Sequence, residues 1–100
     1  MRGIEALKGV ILKLYDCHAT HVSTAPVHET FEGKTVWEGA VEVFDVAGHP
    51  RTKQCYAWEY QDDEGHLHYT AVLKLPPVKT PADAVKAAIV AKVRDERKEA

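Results

Sequence analysis

The sequence predicts an α+β fold: a three-stranded antiparallel meander, with room for a fourth strand at its edge, and a helix from each end of the chain packed on one face. Three observations carry this reading. Between Trp37 and Leu75 the chain holds three runs rich in β-branched and aromatic residues, separated by the turn signals Ala47-Gly48-His49-Pro50 and Asp62-Asp63-Glu64-Gly65. Before them, Ile4, Leu7, Ile11, Leu14 and Tyr15 fall along one helical stripe. After them, Thr80-Pro81-Ala82-Asp83 offers a cap, a proline at the first helical position and an acid in the first turn.

Taken in order, residues 3–15 read as a helix, although Gly9 and the β-branched pair Val10-Ile11 leave a strand through Val10–Tyr15 as the competing assignment. Residues 16–28 are polar, carry a proline and are expected to form a loop. Val27–Phe31 would be an extended piece able to pair with the start of the meander, Glu32-Gly33-Lys34 being the turn between them.

If each four-residue signal in the meander is one turn, Trp37 lies beside Tyr60 and Leu67, Gly39 beside Trp58 and Tyr69, and Val41 beside Tyr56 and Ala71. That face is apolar and aromatic, and Gly39 would leave a gap for the Trp58 indole. The other face would carry Glu38, Glu59 and His68 in one row, Ala40, Ala57 and Thr70 in the next, then Glu42, Cys55 and Val72, with Phe44 at the end. Pro76-Pro77 stops the third strand, because proline cannot donate to the ladder. The final helix sets Val85, Ala88, Ile89 and Val93 against the aromatic face.

A chain of 100 residues is expected to form a single domain over 1–100, and its 45% hydrophobic and 28% charged content is ordinary for a globular protein. No apolar run approaches the roughly 20 residues that a membrane span needs, and the opening residues lack a secretory cleavage pattern, so a cytoplasmic protein is expected. Two cysteines are too few for a disulfide framework and read as reduced thiols. The net charge of -2 is unevenly spread: from Glu29 to Glu64 acids outnumber bases nine to three, whereas from Lys74 to Ala100 bases outnumber acids seven to four. An acidic sheet argues against nucleic acid, leaving only the C-terminal helix, with Arg94, Arg97 and Lys98, as a weak basic footprint. The order helix, three strands, helix is shared with double-stranded RNA-binding domains, which open their last helix with clustered lysines. Here that helix opens Thr80-Pro81-Ala82-Asp83-Ala84-Val85-Lys86, without the cluster, and no family is assigned.

Two constellations offer chemistry. Cys17, His18, His21 and His28 join a thiol to three imidazoles, donors that suit a divalent metal such as zinc, but without paired-knuckle spacing. Glu38, Glu59 and His68, with His66 two residues along the strand, would be neighbours across one sheet face and form an acceptable set for zinc, manganese or iron. No nucleophile elbow, phosphate loop or redox cysteine motif is present. The expected function is therefore a small, non-enzymatic binding or assembly module of unknown ligand, homodimeric through the small-centred face of Ala40, Phe44, Ala57, Thr70 and Val72. A metal-binding protein or metal-dependent enzyme is the alternative, and nucleic-acid binding the weaker third.

Overall fold

The computed structural model describes the backbone of residues 2–61 and 64–99, and the side chains among them other than Arg2, Phe31, Val36 and 91–99. Helix α1 (Arg2–Tyr15) is followed by strands β1 (His18–Phe31), β2 (Lys34–Ala47), β3 (Gln54–Gln61) and β4 (Leu67–Leu73), and helix α2 (Pro81–Glu99) closes the order. The strands form one antiparallel sheet in the order β1-β2-β3-β4. The class and the helix at each end are as the sequence predicts.

The fourth strand is far longer than the expected Val27–Phe31 piece. β1 takes in 14 residues from His18 onward, including most of the stretch read as a loop. Thr20, Val22, Thr24 and Val27 supply β-branched residues that favour an extended backbone even where polarity suggested a loop. The register shifts between His21 and Ser23, where β1 holds the extra residue, and between Glu29 and Thr30, where β2 holds it.

The pairing departs from the expected register twice. Val43 lies opposite Tyr56, so β2 and β3 are offset by two residues from the simple hairpin count, which leaves the faces unchanged. Between β3 and β4 the offset is one: Tyr56 faces Val72 and Trp58 faces Thr70, where Ala71 and Tyr69 were expected. An offset of one exchanges the faces of β4. Tyr69, Ala71 and Leu73 therefore lie with Glu59, Ala57 and Cys55 instead of with the aromatic residues.

The consequence is a sheet buried on both sides. One core gathers Leu7 and Ile11 of α1 with Cys17, Phe44, Val46, Cys55, Ala57 and Ala71. The other gathers Val78, Ala84 and Val85 with Val27, Val41, Val43, Tyr56 and Trp58. Because alternate residues of β2 and β3 divide between these clusters, the two helices cover opposite faces of the sheet. This corrects the expectation that both would share the aromatic face. The physical reason is that the second face is apolar too: Phe44, Cys55 and Ala57 are fully buried there, and leaving them in water would forfeit roughly 25 cal/mol for each Å².

The helix ends are set by local chemistry. Asp16, with φ +54°, follows α1 in the left-handed conformation, and its N–H donates to the Leu12 carbonyl at 2.9 Å. At the start of α2 the Asp83 N–H donates to the Thr80 hydroxyl at 3.1 Å, while the Lys79 N–H donates to Asp83 Oδ2 at 3.1 Å. Gly39 does leave a gap for an indole, but the occupant is Trp37 from its own strand: a Cβ on Gly39 would meet that ring at 3.1 Å. Trp37 then meets Trp58 edge to face, centroids 5.8 Å apart.

Candidate functional site

The most developed polar site lies where the first turns of α1 cross the sheet. Gly3, Ile4 and Leu7 of α1 form one wall of an open cleft of about 460 Å³; His21 and Thr24 of β1, Ala40 and Glu42 of β2, and Trp58 and Glu59 of β3 form the rest. β1 and β2 place the polar group by register. His21 stands opposite Phe44 and Thr24 opposite Glu42, so His21, Thr24 and Glu42 share the α1 face of the sheet despite the shift between them.

The Glu42 carboxylate is held on one oxygen. His21 Nε2 lies 2.8 Å from Glu42 Oε1, and the Thr24 hydroxyl donates to the same Oε1, so neither contact uses Oε2. With its side chain only 16% exposed against 31% for His21, Glu42 is the more enclosed partner, where a charge-assisted bond is stronger than in water. The His21 ring also packs edge-on against Phe44, centroids 5.5 Å apart, which fixes its orientation. Glu59 sits at the mouth beside the first turn of α1: a Cβ on Gly3 would stand 3.7 Å from its Oε1, close to the positive end of the helix dipole. Among the described residues no Lys or Arg side chain lines the cleft, and His21 is turned onto Glu42.

The metal-ligating candidates are dispersed by the same register. Cys17 is fully buried beneath α1 and its thiol donates to the Tyr15 carbonyl at 3.2 Å. His18 is exposed, and only His21 enters the cleft. His28 Nε2 lies 2.8 Å from the Thr35 hydroxyl and 3.6 Å from Glu38. The expected row of Glu38, Glu59 and His68 does not form. Glu59 moves to the cleft, Glu38 pairs with β1, and His68 stacks on Tyr60 on the opposite face, centroids 5.2 Å apart. His66 Nδ1 is 3.6 Å from Glu64. Among the described residues no three His, Cys, Asp or Glu groups stand close enough to hold a metal ion.

The expected docking face is also corrected. Phe44 and Ala57 are fully buried under α1, Ala40 lines the cleft, and Thr70 and Val72 lie on the other face toward α2. Arg94, Arg97 and Lys98, the basic footprint of the last helix, have side chains outside the described ones. Sequence reasoning placed Glu42 in an outer row and missed Thr24. Reading 18–24 as a strand beside β2 is the one signal that would have brought both to His21.

Searches against protein-family models, curated proteins and solved structures found no match for this chain. Among the described residues no helix is long and apolar enough to cross a membrane.

Proposed function

We propose that this chain is a small, non-enzymatic cytoplasmic binding module whose ligand carries a cationic head group, an ammonium or guanidinium, on an apolar body. The observation that carries this is the Glu42 carboxylate, fixed at the cleft wall by His21 and Thr24 on a single oxygen. A carboxylate whose position is already determined loses little entropy on receiving a charged donor, and its second oxygen supplies the acceptor. Glu59 adds a second negative group at the mouth, while Ile4, Leu7 and Trp58 give an apolar lining. A volume of about 460 Å³ suits a small organic molecule. Buried free thiols at Cys17 and Cys55 accord with a reducing compartment.

The test is a chemical-shift titration with agmatine and phenethylamine, with glutarate as the anionic control. Saturable shifts of the Gly3, Thr24 and Trp58 signals are expected with the cations, and Glu42→Gln should remove them. Equal response to glutarate, or none to either cation at millimolar concentration, sinks the proposal.

A further inference from the structure

We propose that the α2 face of the sheet holds a second small-molecule site, which takes a single uncharged aromatic ring bearing at most one hydroxyl. The space for it is a recess of about 150 Å³ between the sheet and α2, a size that admits one benzene-like molecule. Trp37, Trp58 and Tyr60 form its sheet wall, and Val85, Ala88 and Ile89 of α2 form the wall opposite.

The sheet wall is held in place, so the space does not close on itself. Trp37 rests over Gly39, where a Cβ would meet its ring at 3.1 Å, and it meets Trp58 at 70° with centroids 5.8 Å apart. Trp58 is buried, and the Tyr60 ring is backed by His68, stacked on it with centroids 5.2 Å apart. On the helix, Val85, Ala88 and Ile89 share one stripe, and the alanine ends in a methyl where a longer side chain would enter the recess.

The lining selects the occupant. It contains no Lys, Arg, Asp, Glu or His, so an ion would leave water there without a counter-charge, a cost that an uncharged molecule avoids. Three aromatic neighbours favour an aromatic guest over an aliphatic one of equal size, because edge-to-face and offset ring contacts add to the burial of area. Thr70 brings to the lining a hydroxyl that makes no side-chain hydrogen bond among the described residues, and a hydroxyl on the ring can meet it.

This site stands apart from the cleft. The recess lies on the α2 face and the cleft under α1, Trp58 being the one residue common to their linings. Either can therefore fail alone, and Val85 and Ile89 report on the recess without reporting on the cleft.

Methyl NMR signals of Val85 and Ile89, followed during titration with phenol, cyclohexanol and tetramethylammonium, test the proposal. Phenol should shift both signals saturably at millimolar concentration and bind about threefold or more tighter than cyclohexanol, while tetramethylammonium leaves them in place. Ala88→Leu should fill the recess and remove the phenol response. Failure of phenol to saturate these signals, an equal affinity for cyclohexanol, or a response to tetramethylammonium would overturn it. So would an Ala88→Leu protein that folds and binds phenol as well as the unaltered chain. The titrations on the unaltered chain decide the matter even if the variant folds poorly.

Discussion

The Tyr15 hydroxyl donates a 2.9 Å hydrogen bond to the Ala71 carbonyl, tying the last turn of α1 to the edge strand β4 across 56 residues of sequence. It holds α1 against the face that carries Phe44 and closes half of the β4 edge. Tyr15→Phe keeps the ring and removes the donor, and should cost about 1 kcal/mol in urea unfolding. The Tyr56 hydroxyl makes the corresponding tie on the α2 side, donating to the Lys79 carbonyl at 3.3 Å.

Alkaline pH should destabilise the fold through one buried and one half-buried acid. Burial pushes the Cys55 thiol up to about 12 from its ordinary 9.0; a backbone hydrogen bond at Val72 opposes this and Cys17 adds to it. Burial, then Cys55, raises Tyr15 above 10.0 in the same way. A raised pKa means that the native state keeps a proton the unfolded chain releases. Stability is therefore full below the unfolded value and falls as pH rises through the interval toward the folded one. Urea midpoints should hold steady to about pH 8 and decline above about pH 9, and Cys55→Ala should make that decline shallower. In the folded protein Cys55 should also resist thiol reagents at about pH 8, because the thiolate is the reactive form.

Phe44 decides whether the second face is a core. Phe44→Ala should cost about 3–5 kcal/mol in chemical unfolding, because α1 can collapse only partly onto the space left. Ala57→Leu in the same cluster should cost about 1–3 kcal/mol by overpacking. A change below 1 kcal/mol in both (about the size of a surface effect) would mean that α1 does not cover this face.

Asp16 offers a stabilising change. It occupies the left-handed conformation at φ +54°, which costs an ordinary residue roughly 1 kcal/mol, and no side-chain bond to Asp16 offsets this among the described contacts. Asp16→Gly should raise the thermal midpoint, by the equivalent of up to about 1 kcal/mol. By contrast Gly48→Ala, at φ +105°, should lose about 1–3 kcal/mol.

What the sequence determined by itself was local. The stripe of Ile4, Leu7 and Ile11 marked α1, the Thr80 cap and Asp83 marked the start of α2, and the aromatic runs marked the meander strands, because each depends on neighbours within a few residues. The tertiary structure decided which side of the sheet each group meets. The predicted register assumed one wet face, and on that assumption Tyr69 and Ala71 belonged with Trp58. Both faces of the sheet carry a core, so the apolar alternate of β4 could join either one, and the one-residue offset against β3 settled which. That offset also sent His68 to the face opposite Glu59, while the two-residue offset between β2 and β3 slid Glu59 away from Glu38. The cleft was hidden for a related reason: His21, Thr24 and Glu42 meet only because a polar, threonine-rich stretch becomes an edge strand, and what makes it one is the ladder offered by β2, a partner that no window on residues 16–28 contains.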